Sequence, residues 1–192
     1  LFLGGVKYRW FILGGLAMLL GLILILGAGG YEASRITAWQ DPFSDPTDDG
    51  YQIIQSLYAI GSGGLFGLGL GNGRQKYLYL PEEHNDYIFS IACEELGLAG
   101  AVGILILYSL LILRGYWISM HIRDRFLSLT VAGITTLTAL QVFFNIGVVT
   151  NLLPSTGISL PFFSYGGTAL LIQLGEMGII LGASRQCSAG FL

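Results

Sequence analysis

Long runs of residues with almost no charge leave this chain few ways to fold. The first, from Trp10 to Gly30, carries no charge over about 20 residues, enough for a helix to cross about 30 Å of hydrocarbon. Three more follow over residues 87–113, 126–150 and 165–184. Inside a bilayer each backbone N–H and C=O must find its partner within the protein, so such runs are expected to be helices. Only 11% of the 192 residues are charged and 53% are hydrophobic, where a soluble domain carries about a quarter charged residues. The 29 glycines fit close helix packing in a membrane. The expected fold class is therefore an all-α polytopic membrane protein, a single integral-membrane domain over residues 1–192. A net charge of -3 argues against a nucleic-acid surface. Cys93, inside a span, and Cys187, just past the last one, read as small apolar residues.

Lys and Arg residues set the orientation. Lys7, Arg9, Arg114, Arg123, Arg125 and Arg185 fall on one side of the four spans, and Arg35, Arg74 and Lys76 on the other. The richer side is expected to be cytoplasmic, which turns residues 31–86 and 151–164 outward as a large and a small extracytoplasmic loop. The start at Leu1 resembles neither a signal peptide nor a helix start and leads us to expect that part of a longer protein precedes it.

Within the large loop, Asp45-Pro46-Thr47-Asp48-Asp49-Gly50 favours turns. Tyr51 to Ile60 then reads as a short amphipathic helix, with Ile53, Ile54, Leu57, Tyr58 and Ile60 as its apolar stripe. It should lie in the interface plane or over the spans. The Gly-rich run from Gly61 to Gly73 lacks the Walker spacing and any G-x-G-x-x-G window. It is either a tightly turning loop or one whose N–H groups approach a phosphate.

The chemistry-bearing residues gather where this loop enters the second span. Asp86 is either a general base at the rim of a cavity, its pKa raised by partial desolvation, or a cap for the helix that follows. Glu82 and Glu83 are a solvated acidic rim or a carboxylate cluster for a divalent cation, Mg or Mn; no other cofactor is indicated. His84 reads as a rim hydrogen-bonding residue, since no second His or Cys lies at zinc-ligand spacing. Arg74 and Lys76 either neutralise these acids or hold a pyrophosphate. Glu94 and Glu95, roughly two turns into the span, line a polar cavity or hold the bundle together by interhelical bonds, and Glu176 invites the same two readings. In the small outer loop, Pro154, Pro161, Ser164, Tyr165, Gly166 and Gly167 put broken backbone at membrane depth, which is tolerated where it lines a cavity.

These residues resemble one family. Asp41-Pro42-Phe43 with Gly50-Tyr51-Gln52, the run Gly61 to Gly73, Leu80-Pro81-Glu82 followed by His84 and Asp86, Glu94-Glu95-Leu96-Gly97, and Pro161-Phe162-Phe163-Ser164-Tyr165-Gly166-Gly167 are together similar to the C-terminal half of the SEDS proteins (RodA, FtsW, SpoVE), over essentially Trp10 to Arg185. Gln75-Lys76-Tyr77 and the Asp41-Pro42-Phe43 segment lean towards the FtsW and SpoVE side. Asn151 and Ser155 depart from the commonest forms, which often have Gly and Val there.

The resemblance implies a ten-span bundle of which the spans here are the last four. It implies polymerisation of lipid II into a growing peptidoglycan glycan strand at the outer face of the bacterial cytoplasmic membrane, in division, elongation or sporulation. It places the essential aspartate at Asp86, with Arg74, Lys76, Glu82, His84, Ser164, Tyr165, Gly166 and Gly167 around the substrate. It also implies a single-span class B penicillin-binding protein, a transpeptidase, meeting spans two and three. Two other classes remain open on the residues: a lipid II flippase, and a non-catalytic scaffold for the penicillin-binding protein. The piece alone is expected to be inactive.

Overall fold

The computed structural model describes residues 8–27, 31–44, 46, 49–73 and 86–188. Among the described residues six α-helices follow in order: α1 (Tyr8–Gly27), α2 (Tyr31–Gln40), α3 (Asp49–Gly63), α4 (Ile88–His121), α5 (Arg125–Val149) and α6 (Gly167–Ser188). A single 3₁₀ turn, Pro42–Ser44, separates α2 from α3. Among the described residues α4, α5 and α6 are long and apolar enough to cross a membrane, and the protein is an integral membrane protein. α1 occupies the expected first span as a 20-residue helix. Its described side chains are largely exposed, and among helices it packs on α2 alone within the described residues.

α4 differs from the expected span in two ways. It does not stop at Arg114 but continues to His121. The extra turns are held by ring contacts: Arg114 lies over the Trp117 ring at 4.2 Å and His121 stacks on the same ring at 4.2 Å. Residues of this kind, with an apolar body and a charged tip, are at home where a helix leaves the hydrocarbon. Second, α4 is broken at Gly97, whose φ of 69° and ψ of -170° belong to no helix. The stretch 98–121 rises about 36 Å at 1.5 Å per residue and crosses about 30 Å of hydrocarbon without help. By length alone, then, the turns above the break, which carry Glu94 and Glu95, can lie outside the apolar slab.

The Gly-rich run explains how the break is tolerated. Leu68 N donates to Glu94 O at 3.0 Å and Gly69 N to Glu95 O at 3.0 Å. In the opposite direction Leu98 N donates to Gly64 O at 2.9 Å and Ala99 N to Leu65 O at 3.1 Å. The loop thus replaces, group for group, bonds that the interrupted helix cannot make for itself. α3, which feeds this loop, lies against α4 rather than apart from it. Of the expected apolar stripe Ile53 and Ile54 are buried, Leu57 and Ile60 half-buried and Tyr58 exposed, while Ala59, outside it, is buried. Ser56 is fully buried and donates to Val149 O at the end of α5, 2.8 Å away.

α4 and α5 form an antiparallel hairpin. Asp124 caps α5, its side chain accepting from Phe126 N at 3.0 Å. Small residues bring the two helices close. Ser119 Oγ donates to Ser128 O at 2.9 Å and Ser128 Oγ donates back to Ser119 O at 2.7 Å, while Gly115 abuts Thr135. α6 closes this end of the bundle, with Ile180 and Ala183 against Ile118, Ile122 and Val131. Both cysteines are free thiols, Cys93 buried and Cys187 half-buried against the Ile118 carbonyl. α5 and α6 keep close to the expected 126–150 and 165–184, with α6 starting two residues later and running on to Ser188.

Candidate functional site

At the opposite end of the hairpin the N-terminus of α4, the C-terminus of α5 and the loop 150–166 meet. The loop is fastened at several points. Tyr108 donates its hydroxyl to Pro161 O, Leu160 N donates to Ser164 Oγ at 2.7 Å, and Phe162 N donates to Gln173 Oε1 at 2.8 Å. Leu160 and Pro161 are fully buried beneath it. Its backbone turns at two left-handed non-glycine residues, Asn151 (φ 57°) and Phe162 (φ 65°), and at Gly157 (φ 66°). Asn is the residue that best tolerates this conformation after Gly, which gives a physical reason for Asn at position 151. Replacing Tyr108 with Phe should lower the unfolding free energy by about 1–2 kcal/mol, since it leaves a buried carbonyl without its donor. A thermal melt of the purified protein reads this directly.

Asp86 stands at this junction, one residue before the N-cap Tyr87 of α4. A Cβ built on Gly157 would lie 3.4 Å from Asp86 Oδ2, so the carboxylate faces the loop at its glycine. Asn145 of α5, 1% exposed, donates through Nδ2 to Asp86 O at 2.7 Å and to Ile158 O at 2.8 Å. The Tyr87 hydroxyl donates to Ser155 Oγ at 3.5 Å, and Arg35 of α2 donates to Ser155 O at 3.2 Å. Trp39, one turn further along α2, donates to Asn151 O at 3.1 Å, and Asn151 Nδ2 returns a bond to Trp39 O at 3.4 Å. The Tyr87 phenol, outside the span itself, reports the charges around it. Burial pushes its pKa up, the bond to Ser155 pulls it down, the Asp86 charge pushes it up and the Arg35 charge pulls it down. Asp86 and Arg35 therefore bear on one hydroxyl from two elements far apart in sequence.

Beside this cluster opens a cleft of about 660 Å³, lined by Ile88, Phe162, Phe163, Ser164, Tyr165, Gly166, Gly167 and Leu170. Four residues expected around the substrate, Ser164 to Gly167, thus line one cleft together with a residue two positions from Asp86. Tyr165 is 84% exposed there. Arg74, Lys76, Glu82 and His84 lie outside the described residues, as does Glu83. Among the described residues no three His, Cys, Asp or Glu side chains group as a metal site. Glu94 is 1% exposed, and a Cβ on Gly73 would lie 2.9 Å from its Oε2 and 3.2 Å from Glu95 Oε1. Both carboxylates thus face the end of the Gly-rich run. The amides of Leu68 and Gly69 in that run donate to α4 carbonyls, and those of Gly67 and Asn72 donate within the loop, at 2.8 and 3.1 Å.

Sequence reasoning passed over three participants. Arg35 entered it only as a charge on the outer side. Asn145 carried a signal, a carboxamide within an apolar 25-residue helix, where a polar group needs a partner. Ser155 carried none, since its role comes from Arg35 and Tyr87 meeting it across the fold.

The chain matches the FTSW_RODA_SPOVE family, described as cell cycle protein, over residues 1–189. It is 47% identical over 185 residues to stage V sporulation protein E of Bacillus subtilis (strain 168), covering 96% of this chain and 50% of that protein. It is 45% identical over 186 residues to the probable peptidoglycan glycosyltransferase FtsW of Geobacter sp. (strain M18), covering 97% and 51%. Among solved structures, one from a peptidoglycan synthase complex that coordinates polymerization and crosslinking superimposes with a TM-score of 0.72 at 30% identity, over 94% of this chain and 50% of that one. An aspartate-to-alanine mutant of the rod shape determining protein RodA of Thermus thermophilus gives a TM-score of 0.53 at 35% identity, over 68% and 39%. The chain spans about half the length of the curated relatives it matches. With the fold, the motifs and the match over nearly the whole sequence in agreement, the chain belongs to the FtsW/RodA/SpoVE family.

Proposed function

We propose that the full-length protein is a peptidoglycan glycosyltransferase that polymerises lipid II into glycan strands at the outer face of the cytoplasmic membrane. The observation that carries this reading is the junction itself: one carboxylate, Asp86, held beside a cleft at the end of the bundle where the backbone is broken and polar. Its relatives include proteins named as probable peptidoglycan glycosyltransferases, and the solved complex it resembles joins polymerization to crosslinking.

The chemistry needs little more. The acceptor is a sugar 4-hydroxyl. Asp86 takes its proton as the oxygen attacks the anomeric carbon of the donor. The bond from that carbon to the lipid pyrophosphate breaks, and the pyrophosphate leaves with the bonding pair, needing cations rather than a second acid. In-line attack converts the donor's α-link to a β-link. A glycosidase ordinarily uses two carboxylates, but a leaving group already stable as an anion removes the need for one. Arg74 and Lys76 are assigned to the pyrophosphate, with Arg35 the described cation that bears on the same junction. Glu82, His84 and the cleft residues Ser164, Tyr165, Gly166 and Gly167 are assigned to the sugars.

The partner we assign is the one the family resemblance implies, a class B penicillin-binding protein whose single span would pack on α4 and α5; the solved complex, which joins polymerization to crosslinking, supports a partner of this kind. Both helices display rows of exposed apolar side chains, Leu105, Ile106 and Leu107 on one and Leu137, Leu140 and Phe143 on the other.

The test uses the full-length parent purified with that partner and supplied with lipid II. Long glycan on a gel is the expected product. The absence of glycan, together with lipid II crossing a liposome bilayer, would replace the reading with that of a flippase. Absence of both would leave the scaffold.

A further inference from the structure

We propose that Asn145 is a positioning residue for the reaction, holding the backbone of Asp86 at a fixed place against the outer loop. The inference rests on Asp86 being the base. Asn145 lies in the last turns of α5, 1% exposed, and its single Nδ2 group reaches two carbonyls from different parts of the chain, Asp86 O at 2.7 Å and Ile158 O at 2.8 Å. Ile158 is the neighbour of Gly157, the residue that the Asp86 carboxylate faces. One carboxamide thus ties together the residue that carries the base and the backbone opposite it, from a helix whose other end is fixed by its own cap.

Fold stability does not account for this side chain. Its Oδ1 is buried without a hydrogen-bond partner among the described residues, and the cost of that atom offsets what the two bonds contribute. A leucine would remove that atom, but it is the larger side chain and would leave the Asp86 and Ile158 carbonyls without their donor. What a leucine could not do is hold two carbonyls at a common point. Small displacements of a reacting group cost rate steeply, so the tie should show in turnover well beyond what it costs in folding, and not in substrate affinity.

The experiment uses the full-length parent with its transpeptidase partner and lipid II, and compares Asn145→Leu, Asn145→Ser and Asp86→Ala. For Asn145→Leu we expect kcat to fall about 10- to 100-fold. KM should stay within about threefold, and the thermal midpoint of the folded complex within a few degrees. Asn145→Ser, which keeps one short donor, should fall between Asn145→Leu and the parent. An Asn145→Leu enzyme that folds and keeps kcat within about twofold of the parent would overturn the proposal while leaving Asp86 as base. Loss of activity that merely tracks the folded fraction, or failure of both Asn145 variants to fold, would make Asn145 a structural residue and also overturn it. Normal polymerisation by Asp86→Ala would remove the base assignment, and this inference with it.

Discussion

Replacing Asp86 with Ala in the full-length protein is expected to lower glycan synthesis from lipid II by about a hundred- to ten-thousandfold, the range a positioned general base contributes. Insertion into the membrane should be unchanged. The side chain is not part of either buried core, and the backbone bond from Asn145 to the residue's carbonyl survives the substitution. Asp86→Asn, which keeps the shape and removes the basic lone pair, should be nearly as inactive. Asp86→Glu keeps the base but displaces it by one methylene from its place opposite Gly157, and should retain a small fraction of the rate. A base acts only when ionised, so polymerisation should also fall on acidification in the parent, and any residual rate in Asp86→Ala should not follow that profile. Polymer made at the parent rate by Asp86→Ala would end the assignment of Asp86 as the base.

Much of this arrangement is legible in the residues. The apolar runs locate α1, α5, α6 and the start of α4 to within four residues, because a helix is the only solution for each of them in hydrocarbon. The loop 150–166 is legible as broken backbone, since Pro154 and Pro161 interrupt a helix. Other features are invisible for a physical reason: they are made by residues far apart in the chain. Nothing local in Glu94-Glu95-Leu96-Gly97-Leu98 says that the helix breaks there, as a glycine in a membrane helix is ordinary. The break exists because residues 64–69 supply the donors and acceptors that replace the lost bonds. Likewise Arg35, Ser155 and Tyr87 become neighbours through the approach of α2 to the loop 150–166, a contact spanning 120 residues. The continuation of α4 past Arg114 was hidden by the charge itself, which reads as a stop until the Trp117 ring beneath it is seen.

That break predicts the other large effect. Gly97→Ala should prevent accumulation of folded protein, or lower its thermal midpoint by ten degrees or so, although the substitution adds only a methyl group. Two costs combine. The φ of 69° with ψ of -170° lies in a region open essentially to glycine alone, which costs about 1–3 kcal/mol for any other residue. The methyl would also sit 2.3 Å from Gly67 N and 2.7 Å from the Leu65 carbonyl, backbone atoms that cannot swing aside. Moving them breaks the bonds from Leu68 and Gly69 to Glu94 and Glu95 and those from Leu98 and Ala99 to Gly64 and Leu65, and so uncovers polar groups in an apolar setting. Gly67→Ala should fail in the same way from the other side, since its methyl would meet Glu95 O at 2.1 Å and its own φ is 77°. By contrast Gly103→Ala, six residues along the same helix with open space around it, should be neutral or slightly stabilising. Comparing the three by yield and thermal melt in detergent separates the contact from the general effect of adding a methyl to α4. Wild-type melting for Gly97→Ala would mean that α4 is continuous and that the loop only rests on it. The consequence would reach Glu94 and Glu95, whose carboxylates face the end of the Gly-rich run.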